Sequence, residues 1–207
     1  MVIGHGRSPE GQSWGARIDG ADVVIRMWDC QWQAPTDYGE RYDFGLIEAS
    51  PRYGVAFRIH NRREPAIGWI ASMLHGWWKT AVPERTEFLD QAPWNDLGRE
   101  LGGLGATGRL QFTRGTIAAC WAITRAAPGD ELVLCGFDDI FRGVASASLE
   151  EAFSDAYRAN PGTFPFGGYA CGVSKMGNHD YAIERPVMMH LAREHGVRVR
   201  FAQECWA

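Results

Sequence analysis

Three stretches, far apart in the chain, hold groups able to act on a substrate. The first is Val2-Ile3-Gly4-His5-Gly6-Arg7-Ser8, an apolar run that stops in a small-residue turn. Glycine at two alternate positions lets backbone approach a ligand closely, and the amides of such a turn suit an anion, usually a phosphate. The second is Thr113-Arg114-Gly115-Thr116, where a helical pattern opens. The unpaired amides and dipole of a helix start favour an anion, and the threonine and arginine side chains add donors. The third is Asn178-His179-Asp180-Tyr181-Ala182-Ile183-Glu184. His179 lies off any apolar stripe, and an imidazole with an ordinary pKa of about 6.5 suits a general base. Glu184 falls at the start of a helix, where the dipole stabilises a carboxylate.

Each stretch also has an ordinary structural use: glycines close strands, a threonine caps a helix beside a surface arginine, and a loop histidine precedes a capping glutamate. The other histidines rank lower. His5 faces whatever the opening turn holds, His60 ends a strand beside arginines, and His75, His190 and His195 read as helix packing or helix-end residues.

The elements that must position these groups alternate along the chain. After the opening strand, the apolar run within Ile18-Asp19-Gly20-Ala21-Asp22-Val23-Val24-Ile25-Arg26-Met27 reads as a second strand, and residues 28–42 as a polar and aromatic loop. Residues 44–49 and 55–60 read as strands around a turn at 50–54. Ile67, Ile70, Ala71, Leu74 and Trp78 follow helical spacing, with Pro65 suited to a first turn, so 65–78 is expected to be a helix. Residues 94–101 suggest a short helix, and the glycine-rich run 102–108 a linker. A helix over 113–126, a buried strand over 131–137, a helix over 149–157, a loop over 160–172, a helix from about Pro186 to His195-Gly196 and a strand over 197–202 complete the pattern. This order predicts one α/β domain over residues 1–207, built in three layers.

Composition bounds the function. Hydrophobic residues make up 45% of the chain and charged residues 22%, with a net charge of −4, as in ordinary globular domains. Arg58, Arg62 and Arg63 form a local basic cluster, but no block of like charge points to a membrane surface, and the acidic balance argues against a nucleic-acid acceptor. No apolar run is long enough to span a bilayer and no secretory leader is visible, so a cytoplasmic protein is expected. Cys30, Cys120, Cys135, Cys171 and Cys205 lack zinc spacing and read as buried free thiols. Asp138-Asp139, at a strand end, is the nearest approach to a metal-binding pair, and no metal or resident cofactor is expected.

Taken together, the three stretches resemble the sialyltransferase family of animal Golgi enzymes, whose motifs occur in this order. The long motif is matched by Val2-Ile3-Gly4-His5-Gly6, Ile18-Asp19, Asp22-Val23-Val24-Ile25-Arg26-Met27 and Ala34-Pro35-Thr36. The short motif is matched by residues 113–137, with Gly115 near the helix start and Asp130-Glu131-Leu132-Val133-Leu134-Cys135-Gly136-Phe137 as its strand. His179 and Glu184 meet a His-x4-Glu pattern, and the matches cover roughly a third of the chain.

The resemblance implies a three-layer Rossmann-like sheet of the variant GT-A glycosyltransferase type. It also implies metal-independent, inverting transfer of a sugar from a CMP-activated donor to a glycan or small-molecule acceptor. By the same resemblance His179 is the general base and Glu184 supports that region. Gly4, His5, Gly6, Arg7, Ser8 and Arg26, with Trp28 and Asp29, fall among the donor-binding residues. Thr113, Arg114, Gly115 and Thr116 complete that set. The family carries asparagine where this chain has His5, and another near Trp28 and Asp29, so a donor other than a CMP-sialic acid remains open.

Two further classes share these features. Gly4-x-Gly6 is half of a dinucleotide fingerprint, but Pro9 stands where the third glycine belongs. Trp14, Trp28, Trp32, Trp69, Trp77, Trp78 and Trp94 would also suit a non-catalytic module that stacks on sugar rings.

Overall fold

The computed structural model describes residues 1–27, 33–49, 68–73, 86–103, 112–144 and 180–206. Strands β1 (Val2–Ile3), β2 (Ile25–Met27), β3 (Phe44–Ala49), β4 (Gly68–Met73), β5 (Thr86–Leu89), β6 (Glu131–Cys135) and β7 (Arg198–Phe201) form one sheet in the order β5-β4-β3-β2-β1-β6-β7. Every pairing is parallel. The helices are α1 (Gly15–Asp19), α2 (Pro35–Tyr38), α3 (Ala92–Glu100), α4 (Arg114–Arg125), α5 (Asp138–Arg142), α6 (Tyr181–His195) and α7 (Ala202–Cys205).

A parallel sheet is stable only with both faces covered, and the alternation of the central strands achieves this. Val2, Leu132 and Leu134 join Ile117, Ala118, Val187 and Met188 of α4 and α6 in one core. Ile3, Val133 and Cys135 face the other way, onto Trp14, Ile18, Tyr38 and Ala202 at α1, α2 and α7. Helices therefore flank the sheet on two sides, as the alternating pattern predicts.

Several elements differ from expectation. The expected helix over 65–78 contains strand β4, paired with β3 and β5. A strand buried on both faces produces the same near-continuous apolar run as a helix, so spacing alone does not separate them. Gly68 disfavours a helix and fits the sheet, because a Cβ there would stand 2.7 Å from the Phe44 ring. Ile18 and Asp19 belong to α1 and not to the second strand, which is confined to Ile25–Met27. The expected loop over 28–42 includes α2, and β5, α5 and α7 have no counterpart in the sequence reading. Helix α6 starts at Tyr181, five residues before Pro186, so the proline sits inside the helix. Gly103, placed in the expected linker, packs tightly: a Cβ there would lie 2.8 Å from Ile183. The expected turn at 50–54, strand at 55–60, helix at 149–157 and loop at 160–172 lie outside the described residues.

Candidate active site

The strand order reverses between β1 and β6, and in open α/β sheets the crevice beyond the carboxyl ends of such strands is where ligands bind. The turn after β1 lies there against the turn after β6. The Gly4 amide donates to the Cys135 carbonyl at 2.8 Å, and the Gly6 amide to the Gly136 carbonyl at 2.9 Å. A Cβ at Gly4 would stand 2.5 Å from the Gly136 oxygen, and one at Gly6 would stand 2.6 Å from Asp138 Oδ2. Gly136 adopts φ +72°, which ends β6. The glycines thus serve the approach of two backbone turns to each other. The Ser8 amide donates to Asp138 Oδ2 at 2.9 Å. Three amides of the turn are accordingly held by protein acceptors.

The carbonyls of the same turn are also held. Tyr38 donates its hydroxyl to the Gly6 carbonyl at 2.7 Å, and Gln33 its side-chain amine to the Gly4 carbonyl at 2.9 Å. Arg26 is 3% exposed, and its guanidinium donates to the carbonyls of Tyr38 and Arg41. Through Tyr38 it is linked to the turn. Arg7 pairs with Glu10 at 2.7 Å, and His5 is half-buried between the two glycines.

Helix α4 opens at the same edge, because a Cβ at Gly115 would lie 2.8 Å from the Phe137 ring. Its N-cap, Thr113, accepts from the Thr116 amide. The Glu184 carboxylate sits at this helix start. Its Oε1 accepts from the Thr113 amide at 3.0 Å, and its Oε2 accepts from the Thr113 hydroxyl at 2.6 Å and from the Thr116 hydroxyl. Glu184 is fully buried. Burial pushes its carboxyl up to about 7, outweighing the hydrogen bonds from Thr113 and Thr116 that pull it down. The anion at the start of α4 is therefore the protein's own carboxylate, and Glu184 acts by position, tying α6 to α4.

The described parts of the three stretches, the last represented by Glu184, thus meet beyond the carboxyl ends of β1 and β6. Arg114 and Gly115 are half-buried there. His179, Trp28 and Asp29 lie outside the described residues, and Asp180 and Tyr181 are the first described residues after His179. Gln33, Tyr38 and Phe137 join the site without having been read from sequence as ligand-facing groups, and Asp138, read only as a metal candidate, joins it as an acceptor for the Ser8 amide. Their one signal was position, beside Ala34-Pro35-Thr36 and at the end of β6.

Asp138 Oδ1 accepts from Gln203 at 2.9 Å and Asp139 pairs with Arg142 at 2.7 Å, so the acidic pair is divided between two contacts. Among the described residues no group of three or more side chains is arranged to hold a metal ion. Cys120 and Cys135 are buried free thiols, Cys135 being pushed up to about 12 by desolvation, while Cys205 is half-buried. Trp14 is buried edge-on against Trp206, with ring centroids 5.4 Å apart, and is core, not a sugar platform. Among the described residues no helix is long and apolar enough to cross a membrane.

Two solved structures share the architecture. A mammalian sialyltransferase matches with a TM-score of 0.52 and 18% identity, covering 96% of this chain and 67% of that one. A mammalian sialyltransferase in complex with Gal-beta-1-3GalNAc-ortho-nitrophenol matches with a TM-score of 0.50 and 17% identity over the same shares. No protein-family model matches the chain, and no curated protein matches it in sequence. At such identity the likeness is one of fold: the chain has a sialyltransferase-like fold over nearly all its length.

Proposed function

We propose that the chain is an inverting glycosyltransferase of the variant GT-A type. It moves sialic acid or another acidic sugar from a CMP-activated donor to the hydroxyl of a glycan or small-molecule acceptor, without a metal ion and in the cytoplasm. The observation that carries this reading is the meeting of the turn after β1, the start of α4 and the start of α6 where the strand order reverses, within a sialyltransferase-like fold.

In this reading His179 takes the proton of the acceptor hydroxyl as its oxygen attacks the anomeric carbon. The bond from that carbon to the phosphate oxygen of CMP breaks on the opposite face, and its electron pair leaves with the phosphate. His5, Arg7, Trp28, Asp29, Arg114 and Gly115 are assigned to the donor. Gly4, Gly6, Ser8, Arg26, Thr113 and Thr116 shape its cradle, and Glu184 keeps α4 and α6 aligned. The cationic side chains of the donor set, Arg7 and Arg114, oppose the charge developing on the leaving phosphate. The acceptor assignment follows the glycan in the second matched structure.

The test pairs binding with turnover. CMP at about 100 times its dissociation constant adds about 2.7 kcal/mol to stability, a clear melting shift expected with or without chelator. His179→Ala is expected to keep that shift and lose transfer. Stabilisation by UDP or GDP in place of CMP discards the donor. A flat response to every nucleotide discards the transferase, and unchanged turnover in His179→Ala discards the base.

A further inference from the structure

Gln33 lies between β2 and α2 and is 5% exposed. Its amine donates to the Gly4 carbonyl at 2.9 Å. A carbonyl only accepts, so this bond fixes which end of the carboxamide faces the turn and leaves Oε1 as the other end. That oxygen is buried and has no hydrogen-bond partner among the described residues. Gln203 is held in a similar way: its side-chain NH2 donates to Asp138 Oδ1 at 2.9 Å, and its Oε1 is buried without a partner. Ser8 Oγ, a hydroxyl that donates as well as accepts, is also buried without a partner. Buried acceptors are ordinarily paired, and leaving one alone is costly, so the unpaired Oε1 of Gln33 beside the Gly4 turn marks where a partner is missing.

The chemistry of that partner follows from what the turn offers. The amides of Gly4, Gly6 and Ser8 are already held by Cys135, Gly136 and Asp138. The unpaired group beside the turn on Gln33 is an acceptor, Oε1. A phosphate is itself all acceptor and gains nothing from a carboxamide oxygen, whereas ribose hydroxyls and a nucleobase amine donate. Resting on the nucleotide-sugar reading above, we infer that Gln33 is a specificity-determining residue whose Oε1 accepts a hydrogen bond from an O–H or N–H group of the donor's nucleoside.

The test is calorimetric titration of wild type and Gln33→Met with CMP, UMP, 2′-deoxy-CMP and 3′-deoxy-CMP. Wild type is expected to bind CMP at least about tenfold more tightly than the analogue lacking the group that Oε1 reads. UMP is that analogue for the cytosine amine, and a deoxy analogue is for a ribose hydroxyl. In Gln33→Met that ratio is expected to fall to about twofold or less, while the ratios to the other analogues are retained. Uniform weakening of all four nucleotides by Gln33→Met would give Gln33 a merely structural role and overturn the inference. Equal binding of all four by wild type overturns it without recourse to a variant. No nucleotide binding at all removes the nucleotide-sugar reading itself, and the inference with it.

Discussion

Glu184 and Thr113, 71 residues apart in sequence, share two hydrogen bonds, one donated by the threonine amide and one by its hydroxyl. The same hydroxyl caps α4 by accepting from the Thr116 amide at 3.3 Å. One buried carboxylate thereby sets the position of two helix starts.

The anchor gives stability a pH dependence. Burial raises the Glu184 carboxyl from an ordinary value of 4.5 to about 7 in the fold. The folded chain keeps a proton that the unfolded chain releases, so this contribution is complete below the unfolded value and is lost as pH rises through the folded one. Its size is on the order of 3 kcal/mol. Urea denaturation from about pH 5 to about pH 8 is expected to show stability falling with pH in wild type and a flatter profile in Glu184→Gln. An equal slope in both proteins would rule out Glu184 as the titrating group.

Removing the carboxylate outright strands buried donors. Glu184→Ala is expected to destabilise the fold by about 3 kcal/mol or more, since the Thr113 amide and two hydroxyls lose their acceptor. Thr113→Ala is expected to cost about 2 kcal/mol, through the lost cap and the lost bond to Glu184. Thr113→Ser retains the hydroxyl and is expected to stay within about 1 kcal/mol of wild type. Thermal or chemical melts of the three variants order them directly.

The turn after β1 has no room for a side chain. Gly4→Ala and Gly6→Ala push a methyl against the Gly136 oxygen or the Asp138 carboxylate, and each is expected to cost about 1–3 kcal/mol and to abolish nucleotide binding. Gly129→Ala is the control. Gly129 has φ +97° with no atom within 4 Å of an added Cβ, so that variant is strained but is expected to bind as wild type does.

Tyr38→Phe removes only the hydroxyl that holds the Gly6 carbonyl. Stability is expected to fall by about 1 kcal/mol, with a loss of nucleotide affinity alongside it. Titration with CMP checks the second half: undiminished affinity would place Tyr38 outside the support of the site.

What the sequence discloses depends on how locally each element is determined. Strands β1, β3 and β6 and the start of α4 are legible because an apolar run, a glycine or a capping threonine marks each one in place. Strand β4 is not, because a run buried on both faces has no period to distinguish it from a helix. The site divides in the same way. Glu184 and Thr113 are both visible as residues of interest, but their pairing depends on how α4 and α6 pack. Asp138 reads as a metal candidate by its acidic neighbour, yet its partners Ser8 and Gln203 lie 130 and 65 positions away. Gln33 has no local signal beyond its place beside Ala34-Pro35-Thr36, since its meaning comes from which atom it leaves unpaired.

The sheet joins two runs of chain, β1 to β5 and β6 to β7, and they are stitched along a single line between β1 and β6. That line brings together residues more than a hundred positions apart, so forming it closes a long loop. A ligand seated across it touches both runs at once and draws them together with its own affinity. Occupancy of the crevice is thus also a gauge of whether the two runs are joined.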